Sequence, residues 1–112
     1  MHAFDVLGDP VRRRILELLR VHELGSGELV DRIRGEFGIS QPAVSQHLRV
    51  LRDNGFATVR AAGTRRIYAV DPTGLSGVDN WLEQFRGLWL QRLAALGTEI
   101  ERGKRNRRAG PT

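Results

Sequence analysis

Between residues 3 and 102 the apolar positions repeat at helical spacing in five segments and alternate along one hairpin, with no internal repeat. Ala3 to Gly8 is a short apolar lead-in. Asp9-Pro10 opens a helix, with Asp9 as N-cap and Pro10 in the first helical position. In it Val11, Ile15, Leu18 and Leu19 face inward, while Arg12, Arg13, Glu17 and Arg20 point out. Gly25-Ser26-Gly27 breaks the chain, and Ser26 is placed to cap a helix whose stripe is Leu29, Val30, Ile33 and Phe37, ended by Gly38. Ser40 caps the next helix, whose inner face is Val44, His47, Leu48 and Leu51, and Asn54-Gly55 supplies its stop. Two β-prone runs follow, Ala57 to Arg60 and Arg65 to Val70, joined across Ala61-Ala62-Gly63-Thr64 with Gly63 taking positive φ. Asp71-Pro72-Thr73-Gly74 reads as a turn, and a last long helix runs from about Val78 to about Arg102.

Helix, short turn Gly38-Ile39-Ser40, helix and basic hairpin together spell a winged helix-turn-helix, a mainly α (α+β) fold of about five helices and one hairpin wing. The second helix of such a unit enters the major groove. Its outer face here carries Gln41, Pro42, Ser45, Gln46 and Arg49, with no acid before Asp53. Gln matches the N6/N7 edge of adenine and Arg the O6/N7 edge of guanine, while Ser serves base or phosphate. A plain solvated face usually mixes acids with bases, so this one reads as a DNA reader. Ser40 begins it, and Arg52, one turn on, suits the backbone. Arg60, Thr64, Arg65 and Arg66 surround Gly63 on a tip able to reach phosphates or the minor groove. Tyr68 is read as packing rather than base-stacking, and His47 as a satisfied, half-buried histidine.

Charge sharpens this picture through its distribution. The net +5 of this 112-residue chain equals the charge of Arg102 to Arg108; residues 1–101 balance 13 bases with 13 acids. Within that neutral body, Phe37 to Asp71 carries five Arg against two Asp. The expected organisation is a DNA-binding and dimerisation domain over residues 1–102, then a basic disordered tail over 103–112. No stretch reaches the roughly 18 apolar residues of a membrane span and no signal pattern opens the chain, so a cytoplasmic location is expected. Without cysteine there is no disulfide, thiolate zinc site or Cys nucleophile. No Ser-His-Asp spacing, paired carboxylates in an apolar setting or phosphate loop argues for an enzyme, and no cofactor is expected.

The runs FDVLGDPVRRRILELL and ISQPAVSQHLRVLRDNGFATVRAAGTRRIYAVDP resemble the ArsR/SmtB family of bacterial winged-helix repressors over roughly residues 3–72. S-Q-P-A-V-S-Q-H-L-R-V-L is the most specific part. The closing WLEQFRGLWLQRLAAL is similar to a subgroup lacking metal sites, often encoded beside a START-like lipid- or polyketide-binding protein. The resemblance implies a homodimer on duplex DNA, binding an inverted-repeat operator and blocking transcription. By position, Gln41, Ser45, Gln46 and Arg49 would read bases and the wing arginines would hold backbone. The family usually has Arg directly after the wing glycine, where this chain has Thr64. Its metal sensors carry a Cys pair where this chain has Leu29-Val30-Asp31, or use His and acids on the last helix, and here no His follows His47. His2, His22 and His47 fall at no ligand spacing, so no metal site is expected. A small-molecule effector is compatible with this reading, without a candidate.

The last helix carries Val78, Trp81, Leu82, Phe85, Leu88, Trp89, Leu93, Leu96 and Ile100 at spacings of three and four. A helix from Val78 to Arg102 is about 37 Å long, more than one face of so small a domain can cover. A second copy is the simplest cover for the remainder. With Phe4, Val6 and Leu7 of the lead-in, this stripe is the expected dimer interface.

Overall fold

The computed structural model describes the backbone of residues 1–108, with side chains through Gly103. The elements in chain order are α1 (Ala3–Leu7), α2 (Pro10–Val21), β1 (Leu24–Gly25), α3 (Ser26–Phe37), α4 (Gln41–Asp53), β2 (Ala57–Ala62), β3 (Arg65–Val70) and α5 (Pro72–Arg108). The strands form one antiparallel sheet in the order β1-β3-β2. This is a winged helix-turn-helix, with α3 and α4 as the helix pair and β2-β3 as the wing. The chain divides between Val78 and Asp79 into two compact units.

Local chemistry sets most of the boundaries. The Asp9 carboxylate accepts the N–H groups of Val11 and Arg12 at 2.8 and 3.4 Å, and the Ser40 hydroxyl accepts that of Ala43 at 3.3 Å. Gly38 and Gly55 end α3 and α4 with φ of 67° and 77°, a conformation that a Cβ would strain. Ser26 does not cap α3. Gly25 occupies the cap position without a side-chain bond, because Leu24 and Gly25 pair with Tyr68 and Ile67 as β1 and the helix starts directly after them. The wing is longer than expected: β2 runs to Ala62, opposite Arg65, and leaves only Gly63-Thr64 in the turn.

The core of residues 1–78 joins Ile15 and Leu19 of α2, Leu29 and Ile33 of α3, and Val44 and Leu51 of α4 under Phe56 and Tyr68. Each fully buried side chain of this size contributes about 1.5–3 kcal/mol. Leu16 is buried and Leu18 only half-buried, the reverse of the simple stripe, because β3 also packs on α2 and widens its covered arc. Phe37 is 38 % exposed at the end of α3, where Gly38 turns the chain away.

Arg12 is not a solvent residue. Its side chain is 13 % exposed and donates to the carbonyls of Val6 and Asp5 at 2.7 and 2.9 Å. Those oxygens belong to a helix too short to satisfy its own C-terminal acceptors, so α1 is held through Arg12. The same guanidinium lies 3.4 Å from His47 Nδ1. Arginine only donates, so any hydrogen bond between them has that nitrogen as acceptor. On the opposite side of α2, Arg14 grips Glu36 at 2.9 and 3.0 Å. That hydrogen bond, helped by Arg32, holds the Glu36 carboxyl below the usual carboxylate range. A lowered folded value means the contribution is present above the ordinary pKa and lost as pH falls through the lowered one. Both partners face water, so it is small.

The last helix starts earlier than expected, at Pro72 rather than about Val78. Asp71 accepts the Thr73 N–H at 3.0 Å, so Asp71-Pro72 opens a helix as Asp9-Pro10 does. That backbone hydrogen bond also holds the Asp71 carboxyl below its usual value. Tertiary contacts pin this start: the Asp71 N–H donates to the Phe56 carbonyl at 2.9 Å and the Gly74 N–H to the Gly55 carbonyl at 2.7 Å. Helix α5 then continues to Arg108, past the Arg102 boundary, because Lys and Arg are good helix formers and cations suit a helix C-terminus. The tail expected over 103–112 is therefore helical as far as 108, and its residues 109–112 lie outside the described ones. No helix among the described residues is long and apolar enough to cross a membrane.

Candidate nucleic-acid interface

Helix α4 turns Val44, Leu48 and Leu51 into the core, which forces its other side outward. Gln41, Pro42, Ser45, Gln46, Arg49 and Arg52 are all exposed there, beside the exposed cap Ser40. Among the described residues, neither Gln46 nor Arg49 has a hydrogen-bond or ion-pair partner. Arg52 is 3.7 Å from its neighbour Asp53, an exposed contact of little energy.

At about 100° per residue the face has two sides. Gln41, Ser45, Arg49 and Arg52 border a groove of about 360 Å³, while Pro42 and Gln46 turn away from it. The far wall is β3, through Arg66 and Tyr68, and the remaining wall is α3, through Ser26, Asp31 and Arg34. Neither Asp31 nor Arg34 was expected at the DNA-binding face. On α3 they fall on the polar side of an amphipathic helix, and nothing in their local pattern points to α4 or the wing.

The wing arginines do not behave alike. Arg60 donates to Glu23 at 2.9 Å, and Arg65 folds back to Glu28. Gly25 leaves room for it: a Cβ there would lie 2.7 Å from the Arg65 guanidinium, whose flexible end would have to shift. Arg66 has no such acid among the described residues. Thr64 is exposed in the turn. Tyr68 is 7 % exposed and belongs to the core, and His47 is half-buried against Arg12, both as their positions in the periodicity implied.

In the unit from Asp79 onward the apolar stripe is bare. Trp81, Phe85 and Leu88 are 46, 45 and 52 % exposed, Trp89 is 64 %, and Leu82, Leu93, Leu96 and Ile100 are similarly open. Trp81 and Phe85 touch one turn apart, with ring centroids 4.8 Å from each other and planes tilted by 48°. Flanking the stripe, Arg86 pairs with Asp79 and, at 2.8 Å, with Glu83, so its charge is satisfied within the helix. Val78, in the first unit, is half-buried. Of the lead-in residues, Phe4 is 39 % exposed and Leu7 packs partly on the core. Val6 is 0 % exposed: the contact with α2 that buries it leaves no surface for a partner, so it is core rather than interface.

Comparison with known proteins agrees with this architecture. A family model described as bacterial regulatory protein, arsR family, matches residues 9–59. The HTH-type transcriptional regulator Rv2034 of Mycobacterium tuberculosis is 39 % identical over 99 residues, covering 88 % of this chain and 86 % of its own. The transcriptional repressor SdpR of Bacillus subtilis is 30 % identical over 84 residues, covering 75 % and 89 %. A crystal structure of a possible transcriptional regulator for arsenical resistance superposes with a TM-score of 0.64 at 36 % identity, covering 85 % of this chain and 95 % of that one.

Proposed function

As a member of the ArsR family of bacterial regulatory proteins, which bind DNA and are not enzymes, this chain is a transcriptional regulator, and we propose that it represses as a homodimer on an inverted-repeat operator. The observation that carries the reading is the outer face of α4, where two amides, a hydroxyl and an unpaired guanidinium stand clear of the body with no acid among them. Gln46 and Arg49 are the base readers, and Arg66 and Arg52 hold the backbone. DNA as ligand places its work in the bacterial cytoplasm.

Gln46→Ala and Arg49→Ala should each cost about 1–3 kcal/mol against the operator and relax preference at particular base pairs. Both variants should melt like wild type, since neither side chain is packed. Titration of the chain's own upstream duplex against single-base variants measures this. An unchanged operator affinity in both variants would remove α4 from base reading.

Two features support the dimer. Trp81, Phe85, Leu88 and Trp89 form a continuous apolar surface of the kind a soluble monomer rarely leaves open. An inverted repeat also presents two equal half-sites, which a two-fold dimer matches.

Release by metals is not part of the proposal. Soft metals such as mercury and arsenic select thiolates, and the sequence has no cysteine. Stoichiometric Zn²⁺, Hg²⁺ or arsenite should therefore leave operator binding unchanged in a gel shift. Metal-driven release reversed by chelator would refute this and implicate His2 or His22.

A further inference from the structure

The groove between α3, α4 and β3 draws guanidinium groups from three elements that are distant in sequence. Arg34, Arg49, Arg52 and Arg66 border it against one acid, Asp31. Elsewhere on this unit arginines are largely spoken for: Arg14 and Arg32 by Glu36, Arg60 by Glu23, Arg65 by Glu28, and Arg12 by backbone carbonyls and Asp9. Arg34, Arg49 and Arg66 have no ion pair among the described residues. Like charges gathered in a concavity repel one another and raise the local concentration of anions. The groove is open to solvent and lies against the reading face, so an anionic strand leaving α4 can pass through it. Ser26 and Gly27, at the start of α3, which lacks a side-chain cap, also line it, and the helix dipole there favours an anion.

We infer that this groove holds a backbone phosphate of the bound duplex, gripped by Arg34 from α3 together with Arg66 from the wing. Arg34 thus joins the DNA contacts although it lies outside both the reading helix and the hairpin. Asp31 at the rim opposes the phosphate and limits affinity. Arg65 contributes less than its neighbour Arg66, because it must first leave Glu28. The inference rests on the regulator reading above and extends it to a particular strand contact.

The test is titration of wild type, Arg34→Ala, Arg34→Lys, Arg66→Ala, Arg65→Ala and Asp31→Asn with the operator and with a scrambled duplex, over a range of salt. One phosphate contact is worth about 0.9 in the salt slope, or about eightfold in affinity at 0.1 M salt. Arg34→Ala and Arg66→Ala should each lose about that much on both duplexes alike. Arg34→Lys should keep the slope, Arg65→Ala should lose less, and Asp31→Asn should bind both duplexes more tightly. Arg34 is exposed, so thermal melts of its variants should match wild type. An Arg34→Ala protein with unchanged affinity and slope overturns the inference, as does one that loses only its preference for the operator. A wild type that binds neither duplex instead fails the regulator reading and takes this inference with it.

Discussion

Phe85→Glu should convert the proposed dimer to a monomer and lower affinity for a full operator by at least about a hundredfold. Phe85 sits midway along the open stripe, its ring tilted against that of Trp81 and half exposed. A carboxylate there would have to be desolvated against another apolar surface, which costs far more than the interface can return. The consequence for DNA exceeds the lost contact. A rigid dimer bound at one half-site meets the second at an effective concentration near millimolar, which multiplies affinity by about 10²–10⁴. Monomers lose that factor, and their affinity for the full operator falls to that of an isolated half-site. Sedimentation reports the state, and titration of full and half operators reports the coupling. Trp89→Ala, which leaves helix propensity intact, should weaken the dimer in the same direction if Phe85→Glu proves insoluble. A wild-type chain that sediments as a monomer at micromolar concentration, yet binds the palindrome tightly, would end the proposal.

Gly74→Ala should destabilise the first unit by about 1–3 kcal/mol, a drop in melting temperature of several degrees. Alanine is ordinarily the better helix residue, so propensity alone predicts the opposite sign. The structure reverses it: a Cβ on Gly74 would lie 2.6 to 2.8 Å from three ring carbons of Phe56. Phe56 is 1 % exposed and closes the core beneath the sheet, so its ring has nowhere to retreat. The Gly74 N–H bond to Gly55 keeps the helix start from sliding away. Phe56→Leu, destabilising by itself through the space it leaves, should recover part of the loss in the Gly74→Ala background. Thermal melts of the four proteins in this cycle measure the coupling. Additive effects would show that the ring and the glycine do not meet.

Short-range chemistry in the sequence determined the helices, their caps and the wing. Asp9-Pro10, Ser40, Gly38 and Gly55 act within a few residues of themselves, so their meaning survives without the fold. The inward periodicity of Val44, Leu48 and Leu51 dictated in the same way which side chains of α4 stand outside. Asp71-Pro72 held the same cap signal, but Gly74 after it reads locally as a turn. Only the fit of that glycine against Phe56 explains why the helix accepts it. Tertiary structure alone decided the fate of the arginines. Nothing near Arg34, Arg65 or Arg66 in sequence distinguishes them, and Arg12 has only Asp9 close by; each is a cation on a polar arc. Their partners lie on other elements: His47 of α4 and the carbonyls of Asp5 and Val6 for Arg12, Glu28 of α3 for Arg65, and the groove against α4 for Arg34 and Arg66. A long flexible cation takes its role from whichever group the fold brings within reach, and periodicity along one element carries no information about the next.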